Sequence, residues 1–233
     1  MLNNLFSAEV LQETLSIVQG QFLLAFWETL YVTIAAMFFA VVIGLPLGVI
    51  LVVGEKGGLA PLPGWLMKTI NVIINLLRSV PFLILMILLF PFTRAVVGTA
   101  VGTVASLVVA AFPFVARLVE SSLRELNPNI IEMSRSMGAS PMQTIIKVMI
   151  PEAMPSLISN ATIAITTILG YTAMSGIVGG GGLGKIAINY GYYRYKYLVM
   201  LLAVILLIVI VQVFQSIGTH LSVKLDKRLK QNH

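Results

Sequence analysis

Four stretches of this sequence contain no charged side chain and are each long enough to cross a bilayer: 29–54, 95–116, 153–184 and 197–223. A spanning helix needs about 20 mostly apolar residues. Inside hydrocarbon, only a helix or a closed barrel satisfies every backbone polar group. A fifth segment, 70–93, is apolar apart from Arg78 near its start. With 58% hydrophobic and 10% charged residues, the chain has too little charge to coat a water-soluble surface, where about 25% is usual. The same balance excludes a disordered chain, which would be rich in charge. The sequence therefore predicts an all-α integral membrane protein with five helices, 23–53, 70–93, 96–117, 155–178 and 197–221.

Five spans put the termini on opposite sides, and the distribution of Lys and Arg selects the orientation. With the N-terminus outside, the inner segments carry eleven: Lys56, Lys68, Arg78, Arg117, Arg124, Arg135, Lys147, Lys224, Lys227, Arg228 and Lys230. The outer segments carry four, Arg94, Lys185, Arg194 and Lys196. This bias predicts a multi-pass protein with its N-terminus outside and its C-terminus, a basic tail over 222–233, in the cytoplasm. The net charge of +6 then reflects orientation, and no nucleic-acid partner is expected. Residues 1–22 lack the basic n-region of a signal peptide. Leu5, Phe6, Val10, Leu11, Leu15 and Val18 form a rough stripe, with Glu9 and Glu13 on the polar side. A short extracytoplasmic, interfacial helix is the expectation there.

Little in the chain suggests catalysis. There is no cysteine, which excludes a disulfide framework, an iron–sulfur cluster and a Cys-based zinc site. His220 and His233 are isolated. The run Gly179 to Lys185, GGGGLGK, imitates both G-x-G-x-x-G and the start of G-x-x-x-x-G-K. A phosphate loop needs a preceding strand and a Ser or Thr after the lysine, whereas a spanning helix precedes this run and Ile186 follows it. It reads as a tight exit from the fourth span. Gly44–Gly48, Gly98–Gly102 and Gly176–Gly180 have the spacing that lets helices approach closely. Pro46, Pro81 and Pro113 fall inside the expected spans, either packed tightly or kinked toward a pathway. Arg78 is either an anchor that snorkels to the cytoplasmic surface or a pathway or subunit contact.

The connection between the third and fourth spans, 118–154, carries the strongest local signals. Asn127 can cap a helix with Pro128 in its first position. That helix would run through Ile130, Ile131, Glu132, Met133, Ser134, Arg135 and Met137 and stop at Gly138. Ser140 and Pro141 repeat the start, and a second helix, 142–150, leads to Pro151. The pattern is a helix–turn–helix on the membrane surface, with Glu132 and Arg135 able to pair with each other or with a partner.

The order Glu132-Met133-Ser134, three residues, Gly138, nine residues, Val148-Met149-Ile150-Pro151 resembles the E-A-A-x3-G-x9-I-x-L-P loop of ABC importer permeases of type I. Met133 and Ser134 replace the two alanines, Val148 the isoleucine and Ile150 the leucine. Further motifs resemble the methionine-importer branch of that family. They are Trp27-Glu28-Thr29-Leu30, Gly44-Leu45-Pro46-Leu47-Gly48-Val49, Arg78-Ser79-Val80-Pro81-Phe82 and Pro91-Phe92-Thr93-Arg94. Gly170-Tyr171-Thr172-Ala173-Met174, Gly180 to Gly184 and Tyr190-Gly191-Tyr192 continue the likeness, which covers about 27–192.

The resemblance implies a permease domain over 23–221 in a bacterial cell membrane. It implies a second copy of the chain, two cytoplasmic ABC ATPase subunits and an extracytoplasmic substrate-binding protein or lipoprotein. The loop would be the coupling helix, so that Asn127, Pro128, Ile130, Ile131, Glu132, Met133, Arg135, Met137, Gly138 and Pro151 would contact the ATPase. ATP and magnesium would sit on that ATPase, with no cofactor on this chain. On the fourth span, Asn160, Ala164, Thr167, Tyr171, Met174 and Val178 recur at helical spacing. They form a candidate pathway wall with Met174 as a gate, or a packing face against a neighbouring helix. The competing functions are a permease for another small amino acid or solute, a secondary transporter needing no ATPase, and a membrane enzyme, for which clustered acidic or His groups are missing.

Overall fold

The computed structural model describes residues 8–226. Leu5 and Phe6 of the N-terminal stripe, and Lys227, Arg228, Lys230 and His233 of the tail, lie outside the described residues. Among the described residues every regular element is helical.

Helix α1 (Ala8–Ile17) passes through a π turn at Val18–Phe22 directly into α2 (Leu23–Val53), giving 46 helical residues from Ala8 to Val53. At ~1.5 Å per residue, that run is roughly twice the ~30 Å hydrocarbon core of a bilayer. Over its described residues, the segment expected to be a separate interfacial helix is therefore the beginning of the first long helix. Next come α3 (Gly64–Ser79) and α4 (Phe82–Val97). The single helix expected over 70–93 is broken between them. Val80 has ψ 128° and Pro81 ψ 131°, both extended. Proline disfavours a helical conformation in the residue before it and has no N–H to continue the ladder. Pro81 thus ends one helix and starts another, and Arg78 occupies the exposed last turn of α3.

Helix α5 (Thr99–Arg124) continues about two turns beyond the expected end at 117. It is followed by α6 (Pro128–Ser136), α7 (Pro141–Thr144), a π turn at Ile145–Met149, α8 (Ile150–Glu152) and α9 (Met154–Ser175). The second loop helix therefore does not stop before Pro151. The Ile150 N–H reaches back five residues to the Ile145 carbonyl. Such a π turn makes room for a proline ring that would strike the ordinary helical carbonyl. A 3-10 turn, α10 (Gly182–Ile186), a π turn at Ala187–Tyr192 and α11 (Tyr197–Leu225) complete the chain. Four helical stretches are long and apolar enough to span a membrane, 8–53, 101–124, 154–178 and 197–225, or five if the broken pair α3–α4 counts as one.

The described residues form two compact units, one of 8–37, 81–108 and 165–213, the other of 38–80, 109–164 and 214–226. In the second, α5 lies against α2. A Cβ on Gly44 would stand 2.8 Å from Val115 Cγ1, and one on Gly48 2.6 Å from the Ala116 carbonyl oxygen. This glycine pair is a helix–helix contact, as its spacing suggests. Leu51, Met67, Ile74 and Ala116 make the core, with Leu47, Ile50, Leu62 and Ile70 packed on it.

In the first unit, Thr33 bonds Thr172 at 3.2 Å and Thr93 bonds Ser106 at 2.9 Å. The other two glycine pairs work differently from the expectation. Gly98 (φ +81°) turns the chain between α4 and α5 with no atom near it, and Gly102 lets the Arg94 backbone approach. Gly176 and Gly180 belong to the turn after α9, where they face the Lys185 backbone and Ser175. Much of the apolar surface remains uncovered. Phe38 and Phe39 on α2, and Ile208, Val209 and Val213 on α11, are at least half exposed, as suits helices solvated by lipid tails.

Candidate functional site

The loop between α5 and α9 is a defined hairpin, and each bend in it has a local cause. Asn127 Oδ1 accepts from the Asn129 N–H at 3.0 Å, with Pro128 in the first helical position. At the other end of α6, Gly138 has φ +81°. Its N–H donates to the Arg135 carbonyl at 2.9 Å, and the Ala139 N–H donates to the Ser134 carbonyl at 3.2 Å. This pair of bonds is a Schellman closure, which requires a left-handed residue. Ser140 and Gln143 then form a reciprocal capping box, 3.3 Å and 2.9 Å. The buried hydroxyls of Ser134 and Thr144, 3.1 Å apart, tie the two arms together.

These devices leave an apolar ridge in the open. Met133, Met137, Met142 and Ile146 are 61%, 81%, 64% and 56% exposed. Ile130 and Ile131 are half-buried, while Glu132 and Arg135 are exposed and make no ion pair with each other. Of the two alternatives for those charges, pairing with each other is not formed. Met142 and Ile146 add to this exposed apolar set, although the sequence reading placed the contact residues at 127–138 and Pro151. Their four-residue spacing on the second arm was the available signal.

A charged network beside this hairpin was not anticipated. Arg117 donates to Glu120 at 2.6 Å, to Asn71 Oδ1 at 2.8 Å and to Asn75 Oδ1 at 2.9 Å, joining α5 to α3. Arg124 donates to Glu120 at 3.0 and 2.9 Å and also pairs with Glu55. Glu120 is 8% exposed and is shared by two guanidinium groups. The i, i+3, i+7 series Arg117, Glu120, Arg124 was legible as one helix face; counting basic residues only for orientation hid it.

The proposed pathway residues fall in both units. In the second unit, Asn160 Nδ2 donates to Ser122 Oγ at 2.7 Å and to the Leu118 carbonyl at 3.2 Å. It also lines a polar cleft of ≈ 390 Å³ with Ser122, Glu125, Ser156 and Ser222. In the first unit, Thr167 is half-buried, and Tyr171 stacks flat on Phe82 with ring centroids 3.9 Å apart. Met174 is 48% exposed. Among the described residues no group of three or more His, Asp or Glu is placed to hold a metal.

The glycine run has a specific task in the first unit. Gly182 (φ +84°) donates its N–H to Glu28 Oε2 at 2.8 Å, and the next N–H, of Leu183, donates to Thr29 Oγ1 at 2.9 Å. A Cβ on Gly181 would lie 2.4 Å from that carboxylate, and one on Gly184 2.0 Å from the Ala173 carbonyl oxygen. The start of α10 is thus pressed onto the Glu28–Thr29 turn of α2.

Long apolar helices and a capped hairpin with exposed apolar side chains are features of a membrane permease. The family model for the binding-protein-dependent transport system inner membrane component matches residues 44–227. The chain belongs to that family, whose members are transport permeases and not a catalytic group. It is 46% identical over 210 residues to the probable D-methionine transport system permease protein MetI of Vibrio cholerae serotype O1, a match covering 88% of this chain and 92% of that protein. It is 48% identical over 153 residues to the D-methionine transport system permease protein MetI of Escherichia coli K12, covering 64% and 70%. Among solved structures, a chain of the MetNI methionine ABC transporter in an inward-facing conformation, native crystal form, matches with a TM-score of 0.87. Identity there is 42%, covering 90% of this chain and 98% of that one. The all-α importer-permease fold expected from the loop motif is the fold found.

Proposed function

We propose that this chain is the membrane-spanning subunit of an ATP-driven importer of methionine. The relatives named for methionine transport support the substrate. The open ridge of Met133, Met137, Met142 and Ile146 on a rigidly capped hairpin supports the coupling. Such a ridge suits a helix-in-groove contact, and methionine side chains adapt their shape to the groove they enter.

In this reading two copies of the chain pair around a pathway, and each hairpin seats in one of two cytoplasmic ATPase subunits. Binding of ATP and magnesium by the ATPases moves the hairpins, which tilt the helices between inward-facing and outward-facing arrangements. A loaded binding protein or lipoprotein delivers substrate on the outside, where the Lys/Arg bias places the N-terminus. The chain itself carries out no covalent step. Glu132 and Arg135, exposed beside the ridge, give the contact its polar rim. Asn160, Thr167, Tyr171 and Met174 line the route, with Met174 as a flexible gate. The deciding experiment is co-purification followed by reconstitution. A stable complex with an ABC ATPase, and ATP-dependent uptake of methionine into proteoliposomes when the binding protein is added, is the expected result. Absence of an ATPase from the purified complex would overturn the reading.

A further inference from the structure

We infer that a cleft in the first unit, separate from the row on α9, is a binding site for a free α-amino acid zwitterion; this rests on the importer reading above. The cleft measures ≈ 240 Å³ and is lined by Leu24, Glu28, Lys185, Ile186, Tyr190 and Arg194 among others. Its charges are arranged for a molecule that is positive at one end of its backbone and negative at the other. Lys185 and Arg194 are exposed, and neither is paired with a carboxylate among the described residues. The Arg194 guanidinium is held 4.8 Å above the Tyr190 ring, and the Tyr190 hydroxyl accepts from Gln21 Nε2 at 2.7 Å. The guanidinium is therefore positioned without being neutralised. Opposite in sign, Glu28 uses Oε2 on the Gly182 N–H, while Oε1 makes no hydrogen bond among the described residues.

An α-carboxylate fits the two cationic donors, and an α-ammonium fits the free oxygen of Glu28. Leu24, 67% exposed, then offers apolar surface to a side chain such as a thioether. Other ligands fit less well. An inorganic anion would meet Glu28, and a metal ion would find one carboxylate beside two cations. The run of glycines serves this site indirectly, because pressing α10 onto α2 brings Lys185 and Ile186 beside Glu28.

The test uses the full chain in lipid nanodiscs, without ATPase or binding protein, and measures methionine binding calorimetrically. Saturable binding is expected, weakened about tenfold or more by Arg194→Gln, the loss that accompanies removal of a charge-assisted hydrogen bond. Glu28→Gln should weaken it similarly while keeping an oxygen for Gly182. Ligand variants need no mutant to fold: norleucine should bind, whereas N-acetylmethionine and methionine methyl ester should not. No saturable binding by a chain whose complete transporter still imports methionine would sink the site and leave the importer reading standing. Binding that is intact in the chain, with no methionine uptake by the complete transporter, would sink the importer reading alone. Equal affinity for N-acetylmethionine would overturn the site. So would variants that impair stimulation by the binding protein while leaving methionine affinity unchanged, since the cleft would then be a docking surface.

Discussion

Replacing Gly138 isolates one backbone angle of the coupling hairpin. Its φ is +81°, and a Cβ added there would meet no atom within 4 Å. Alanine therefore brings no clash, only the cost of holding an L-residue in the left-handed region, about 1–2 kcal/mol. Asparagine visits that region more readily and should lose less. Proline is confined to φ near −65°. It also removes the N–H that donates to Arg135 at 2.9 Å. Its penalty is about 3 kcal/mol or more.

If the ATPase binds the hairpin as a preformed unit, each penalty appears in the docking affinity. At about 1.4 kcal/mol per tenfold, Gly138→Ala should weaken docking by about 5–30-fold and Gly138→Pro by more than about 100-fold. The assay is a titration of purified ATPase onto nanodisc-embedded permease, with the permease melting temperature as a control for insertion. Asparagine should fall between glycine and alanine. Normal docking and transport by Gly138→Pro would refute the assignment of this loop, and an order in which asparagine is worse than alanine would refute the left-handed argument.

Gly48→Ala should destabilise the chain by about 1–3 kcal/mol through overpacking, because its Cβ would lie 2.6 Å from the Ala116 carbonyl oxygen. Gly170→Ala in α9 has no neighbour within 4 Å and should be neutral or stabilising by up to about 1 kcal/mol, so thermal melts should show a lowered midpoint for Gly48→Ala alone. Glu120→Ala leaves Arg117, whose side chain is 21% exposed, without its carboxylate. Loss of about 3–5 kcal/mol is expected for a buried pair broken on one side, with a smaller loss for Glu120→Gln, both read from thermal unfolding in detergent. Met174→Ala should raise ATP hydrolysis uncoupled from uptake if Met174 gates the route; unchanged coupling in proteoliposomes would remove it from the pathway.

The helical class, the hairpin and its caps were legible because each rests on local chemistry. Asn127 before Pro128, Gly138 after a helical run and Ser140 before Pro141 act on residues no more than five positions away. The break at Val80–Pro81 was equally local, yet hydropathy concealed it, since averaging over 70–93 treats proline as one more apolar residue. The long-range features were not legible. Glu120 shared between Arg117 and Arg124, with Asn71 and Asn75 on α3 accepting from Arg117, depends on which faces of two helices meet. Hydrophobic periodicity assigns no partner to a face in a chain that is apolar on nearly every side. The exposure of Met142 and Ile146 was not legible for a related reason, because it depends on how the two arms, joined by Ser134 and Thr144, sit.

The glycine run shows how a motif can be right about chemistry and wrong about its ligand. GGGGLGK resembles a phosphate loop because both place unobstructed backbone N–H groups at the start of a helix, where negative charge is favoured. Here the negative group is the chain's own Glu28, 2.8 Å from the Gly182 N–H. The glycines are required one by one: left-handed backbone at Gly179 and Gly182, and no room for a Cβ at Gly180, Gly181 or Gly184. A side-chain carboxylate fixed in this way cannot be exchanged for a nucleotide. It does leave one oxygen available beside Arg194 and Lys185. Glu28→Ala should therefore do two separable things. It should loosen α10, read as faster amide exchange at Gly182, and it should abolish zwitterion binding. Glu28→Gln should spare the first and weaken binding about tenfold or more. A Gln variant that retained full methionine affinity would leave Glu28 with a structural task alone.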